Sequence, residues 1–139
     1  MKDLKGSGVK SKYLLDSNIL IDYFRGYPPI VNFLDKLITN VDYIVAISSI
    51  TEYEIYSGKS LDDQQVKRRV DALIKQVKVL PLSRPLLKFA GELTRYHQLS
   101  SGDAIIAATA ITYNYLLLTR NRRHLENLPG LKTIIPKTD

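Results

Sequence analysis

At 139 residues, with a hydrophobic share of 45% and a charged share of 24%, the chain is sized and composed for one globular domain with a proper core. It has no cysteine, which excludes structural disulfides, zinc–thiolate centres and thiol catalysis, and its formal charge of +6 favours anionic partners such as nucleic acid. No apolar run approaches the about 20 residues a membrane helix needs, and residues 1–11 are polar and lysine-rich without an apolar signal core, which predicts a loose tail, a single domain over residues 12–139 and a cytoplasmic protein that meets no membrane.

In chain order, Tyr13, Leu14 and Leu15 form a short apolar strand that runs into Asp16. A helix follows, with Ile19, Leu20, Tyr23 and Phe24 apolar and Gly26 as its stop. Pro28 and Pro29 open a second helix reaching about Leu37. Residues 43–47 are β-rich and long enough for a buried strand, and they lead into a short helix ending at Gly58. Val66, Val70, Leu73, Ile74 and Val77 make one stripe of an amphipathic helix. A brief strand is predicted at 78–81. Leu86, Ala90 and Leu93 mark another helix, ending near Leu99, with His97 expected half-buried on its apolar stripe. Residues 103–114 are apolar on most sides, as in a helix buried against a sheet, with Asn114 as its stop. Strands are predicted at 115–118 and 131–135. Strand and helix alternate throughout, which predicts an α/β fold with a parallel sheet covered by helices on both faces.

In such a sheet the carboxyl ends of the strands open on one crevice. Asp16, Glu54 and Asp103 each stand where a strand and a helix should meet. Two charges about 4 Å apart repel by roughly 4 kcal/mol at an effective dielectric of about 20, so three gathered acids call for protons or a cation. Hard divalent ions with oxygen ligands, Mg²⁺ or Mn²⁺, suit such a set. Plainer roles compete with this one. Asp16 is well placed as a helix N-cap, and Asp103 in a first helical turn gains from the helix dipole. Asn18 is suited to donate a hydrogen bond to the Asp16 carboxylate. Glu52 and Glu54 stand about 200° apart on a helix, so only one faces the crevice. Ser49 and Glu52 have the spacing of a capping box, which leaves Glu54 for the site.

Asn121, two residues after Thr119, either helps to orient a water or shapes the turn. Arg120, Arg122, Arg123 and His124 form a basic run beside the acids, an arrangement suited to a phosphodiester substrate, although a solvated loop has the same composition. Asp22, Asp35, Asp42, Asp62, Asp63 and Asp71 read as solvated acids. With two histidines and no cysteine, no zinc constellation can be assembled.

The stretch Leu15-Asp16-Ser17-Asn18-Ile19-Leu20-Ile21-Asp22 resembles the opening motif of PIN-domain ribonucleases, in particular the VapC-type toxins of VapBC toxin–antitoxin pairs. Ile47-Ser48-Ser49-Ile50-Thr51-Glu52-Tyr53-Glu54 is similar to the family's second motif, in a register that puts its glutamate on Glu54. Asp103-Ala104-Ile105-Ile106-Ala107-Ala108 matches the third, and Leu117-Leu118-Thr119-Arg120-Asn121-Arg122-Arg123-His124-Leu125 the C-terminal signature.

The resemblance implies a three-layer α/β/α PIN-like fold around a central, mostly parallel sheet. It also implies endonucleolytic cleavage of RNA by metal-activated water. Asp16, Glu54 and Asp103 would hold Mg²⁺ or Mn²⁺, Asn121 would complete the catalytic set, and Asn18 and Thr119 would support it. Arg120, Arg122 and Arg123 would hold the RNA. A homodimer and a cognate antitoxin protein are implied as partners. Many PIN nucleases carry a fourth acid where this chain has Asn121, which leaves one negative charge fewer and favours one metal over two. Two other readings are a PIN-like module that holds RNA or an antitoxin without cutting, and an aspartyl phosphatase. In the latter case Asn18 stands where a second acid is required.

Overall fold

The computed structural model describes residues 10–136; residues 1–9, most of the expected tail, and residues 137–139 lie outside the described residues. Ser11 does not belong to a tail. It is 5% exposed and opens the first strand, β1 (Ser11–Leu15). Then follow α1 (Ser17–Phe24), α2 (Pro28–Thr39), β2 (Tyr43–Ser48), α3 (Ser49–Ser57), α4 (Gln64–Gln76) and β3 (Lys78–Leu80). The chain continues with α5 (Arg84–His97), α6 (Ser101–Tyr113), β4 (Leu116–Leu118) and β5 (Thr133–Ile134). A single 3-10 turn at Lys59–Asp62 between α3 and α4 has no counterpart in the sequence reading.

The five strands are parallel, in the order β3-β2-β1-β4-β5. Successive side chains of a strand point to opposite faces, and the two cores follow that alternation. Leu14, Ala46 and Leu117 join the apolar residues of α5 and α6 on one face. Tyr13, Leu15, Val45, Ile47 and Leu118 join those of α1, α2 and α4 on the other. The result is the expected α/β/α arrangement.

Alanine decides how close α6 lies to the sheet: Ala104, Ala107, Ala108 and Ala110 are all buried. Asn114 ends that helix at φ 61°, ψ 52°, a left-handed conformation that asparagine tolerates well, and its N–H returns to the Ala110 and Ile111 carbonyls. Gly26, at φ 76°, ends α1 in the same way. Gln98 plays that part after α5 at φ 57°, which nothing in its side chain foretells.

Four local expectations are corrected. Val77 is already extended, just past the end of α4. The last strand contracts from 131–135 to two residues, with Thr133 and Ile134 paired to Leu117 and Leu118. His97 is exposed in the last turn of α5 rather than half-buried. The cap of α3 is Ser48, not Ser49: its Oγ accepts from the Ile50 N–H at 3.2 Å. Strand β2 runs through Ser48, which pairs with Leu80, so the helix starts at Ser49 and Glu52 falls one position beyond the capping-box site.

Ser83 caps α5, accepting from the Leu86 N–H at 3.3 Å. Ser83→Ala is expected to lower stability by about 1 kcal/mol, read as a lower urea midpoint at unchanged slope. Among the described residues no helix is long and apolar enough to cross a membrane.

Candidate active site

Strand order reverses beside β1: the chain moves to β2 and β3 on one side and returns to β4 on the other. A crevice opens at such a switch point, outside the carboxyl ends of the strands. Asp16 stands there. Its N–H donates to the Leu118 carbonyl at 2.9 Å, tying the end of β1 to the end of β4. Its side chain caps α1, with Oδ1 accepting from the Ser17 N–H at 2.7 Å. Oδ2 accepts from the Thr119 hydroxyl, also at 2.7 Å. Thr119 is fully buried, and its Oγ1 accepts in turn from the Asn121 N–H at 2.9 Å. Capping therefore uses one carboxylate oxygen while the loop after β4 fixes the other.

Glu54 reaches the same place from α3. Its Oε1 accepts from the Ser17 hydroxyl at 3.0 Å, so the exposed glutamate is held against the first turn of α1. Asp103 lies half-buried in the first turn of α6, where its N–H donates to the Ser100 cap at 3.2 Å. The electrostatics tie the three together. Burial pushes the Asp16 carboxyl above its ordinary pKa, the hydrogen bonds from Thr119 and Ser17 pull it back, and the negative charges of Asp103 and Glu54 raise it further. A cation would relieve that charge excess.

The donors are carboxylate oxygens, which suit a hard ion. Among the described residues, no three acidic or imidazole groups are drawn tightly enough to enclose one. An open set of this kind fits an ion of the Mg²⁺ type, which keeps several waters and takes only one or two carboxylates. Ser17 was not singled out from the sequence, since its partner is 37 residues away.

The basic loop departs from expectation. The Arg120 guanidinium pairs with Asp22, so Asp22 is not a solvated acid; its side chain is only 18% exposed. The Arg120 N–H donates to Asn18 Oδ1 at 3.3 Å. Asn18 Oδ1 thus accepts from the loop, and the expected hydrogen bond from the Asn18 amide to the Asp16 carboxylate is not formed. Arg123 and His124 are exposed, and the side chain of Arg122 lies outside the described residues. A cleft of about 430 Å³ is lined by Asn18, Ile21, Asp22, Arg25, Arg120 and Asn121. Among the described residues, one buried hydroxyl, Thr51 Oγ1 on α3, has no hydrogen-bond partner.

A model of the PIN domain matches residues 13–131 of this chain. The chain belongs to the PIN-domain family. Ribonuclease VapC19 of Mycobacterium tuberculosis is 30% identical over 124 residues, covering 86% of this chain and 96% of that protein. Ribonuclease VapC1 of Methanocaldococcus jannaschii is 32% identical over 130 residues, covering 88% and 87%. Among solved structures, DNA-bound VapBC from Salmonella typhimurium superposes with a TM-score of 0.74 at 27% identity, over 91% of this chain and 99% of that one. VapBC2 from Rickettsia felis, bound to a DNA fragment from its promoter, gives 0.71 at 26% identity, over 89% and 98%. Dependence on a divalent metal is general among PIN-domain ribonucleases of the VapC type.

Proposed function

We propose that this PIN-domain chain is a divalent-metal-dependent endoribonuclease, the toxin of a type II toxin–antitoxin pair, working in the cytoplasm with Mg²⁺ or Mn²⁺. The observation that carries the reading is the buried Asp16 carboxyl, raised in pKa and facing the charges of Glu54 and Asp103 at the switch point of the sheet. Acids arranged so that they destabilise one another's charge mark a site that awaits a cation. The ribonuclease relatives supply the substrate class.

When bound, the divalent cation supplies Lewis acidity, which makes water a better nucleophile near neutral pH and offsets charge growing on the phosphate. Asp16, Glu54 and Asp103 would hold the ion or orient its waters. Thr119 and the Ser17 N–H fix both oxygens of Asp16, and the Ser17 hydroxyl fixes Glu54. Glu54, the exposed member, takes the proton of the attacking water as the phosphorus–oxygen ester bond breaks, and the leaving oxygen is protonated from solvent. Asn121 orients the water. Arg122 and Arg123 hold the RNA backbone.

The antitoxin reading rests on the toxin–antitoxin complexes among the structural neighbours. A groove of about 580 Å³ suits such a partner: Leu20, Ile21, Phe24, Ile55 and Val66 line it together with Glu54.

Incubation of a structured RNA with Mg²⁺ or Mn²⁺ should give discrete fragments, and excess chelator should stop their formation. Asp103→Asn should cut the rate by on the order of a hundredfold; full activity in a clean preparation of that variant removes Asp103 from the mechanism. Wild-type protein that neither cleaves RNA nor binds Mn²⁺ would instead be a binding module. A logarithmic plot of RNA affinity against salt should fall linearly, as phosphate contacts release counterions. A flat plot would argue against basic residues holding the backbone.

A further inference from the structure

We propose that Arg120 is a positioning residue for the cleavage site rather than a contact for RNA. Together with Asn18 and Asp22 it clamps the loop at 119–121 to α1, and so fixes the groups that orient Asp16. The inference rests on the nuclease reading above and adds a role that the basic composition of the loop conceals.

Asn18 and Asp22 are four residues apart on α1, so their side chains stack on one face of that helix. Both grip the same residue. Asn18 Oδ1 accepts the Arg120 N–H at 3.3 Å, and the Asp22 carboxylate takes the Arg120 guanidinium. The residues on either side of Arg120 make the contacts that matter for Asp16. Thr119 donates to Asp16 Oδ2 at 2.7 Å, and the Asn121 N–H at 2.9 Å holds the hydroxyl that does so. A hydroxyl that accepts one hydrogen bond and donates another has a defined rotor, so anchoring the residues that follow Thr119 orients the carboxylate.

Charge supports the same assignment. A guanidinium already paired with a carboxylate presents little net positive charge to a phosphate, since the Asp22 charge opposes the approach of the RNA. The pair is half-exposed on the arginine side, 52%, so its share of global stability is small and its consequence is local order.

Asp22→Asn, Arg120→Gln and the double variant test this against a direct contact. Clamping predicts that each single variant lowers kcat about tenfold, the scale of a modest misplacement, with KM within about twofold and the salt dependence unchanged. The double variant should be no worse than either single variant, because one contact is lost in all three. Mn²⁺ affinity, read by electron paramagnetic resonance without RNA, should weaken equally in the three variants. Unfolding midpoints should stay near wild type.

A phosphate contact predicts the opposite pattern. Asp22→Asn would free the arginine and lower KM, while Arg120→Gln would raise KM, flatten the salt dependence and leave Mn²⁺ affinity unchanged. That result overturns the clamp and leaves the nuclease reading intact. If wild-type protein fails to cleave RNA, the nuclease reading falls, and the Mn²⁺ affinities alone decide the clamp: an equal loss supports it and unchanged values overturn it.

Discussion

Asp16→Asn is expected to reduce RNA cleavage by on the order of 10²–10³-fold, the cost of removing one well-placed electrostatic group from a reacting centre. The metal-free protein should nonetheless remain as stable as wild type, or become more so. Asparagine keeps the shape of the side chain, and its carbonyl can still accept from the Ser17 N–H. Its amide can donate to Thr119 Oγ1, which then needs a new acceptor for its own hydrogen. Against that loss stands the removal of a buried negative charge that two other acids oppose.

The pH dependence fixes the sign. The Asp16 carboxyl is raised in the folded state, mainly by burial, so the folded protein holds that proton to higher pH than the unfolded chain does. Wild-type stability in chelator should therefore fall as pH rises from the ordinary carboxylate range through the raised value, and the deficit should persist above it. The Asp16→Asn curve should lack this decline. Proton and cation compete for one oxygen pair, so wild-type metal affinity should weaken as pH falls through the same window. Urea unfolding of both proteins across that range makes the comparison. A variant much less stable than wild type above the window would mean that hydrogen bonding at Asp16 outweighs its desolvation. Undiminished cleavage would remove the residue from the mechanism.

Leu14→Ala should cost about 2–5 kcal/mol. Leu14 is fully buried on the central strand, paired with Ala46 on one side and Leu117 on the other. Its cluster is rich in alanines from α6, whose short side chains cannot swing into a void. The site should therefore collapse poorly, and the loss should lie towards the upper end of the range. A domain is typically stable by only about 5–15 kcal/mol, so urea titration should show a large fall in midpoint. Leu87→Ala is the control: that side chain on α5 is 46% exposed, and its change should stay within about 0.5 kcal/mol. Equal losses in the two variants would contradict the assignment of the core.

How much was legible beforehand depends on how local each cause is. The alternation of strand residues between two cores follows from the period of an extended chain, so Tyr13, Leu14 and Leu15 could be assigned to a strand on sight. The stop at Asn114 was readable because asparagine enters the left-handed region easily, whereas nothing in the side chain of Gln98 marks the same conformation there. Helical geometry admits only one of Glu52 and Glu54 to the site, and the capping-box spacing decided for Glu54. The Ser17 hydroxyl does meet Glu54, but the argument that chose it was misplaced. Ser48 and Ser49 are chemically equal caps, and only the pairing of Ser48 with Leu80 chooses between them.

Arg120 marks the boundary most sharply. Read along the chain, it is one cation in a basic run, and Asp22 is one of several scattered acids that read as solvated. Their pairing joins residues 98 positions apart, and the sign of a charge carries no information about which opposite charge folding will bring to it. Local chemistry by itself determined the parallel α/β architecture, because periodicity and caps are properties of neighbouring residues. Of the three acids expected at strand–helix junctions only Asp16 stands at one, since α5 runs into α6 ahead of Asp103 and Glu54 lies within α3. The order of the strands, the placing of Asp16 at the switch point beside β4, the Ser17 tie to Glu54 and the Arg120 clamp were decided only by the tertiary structure, since each depends on contacts between segments that the chain keeps far apart.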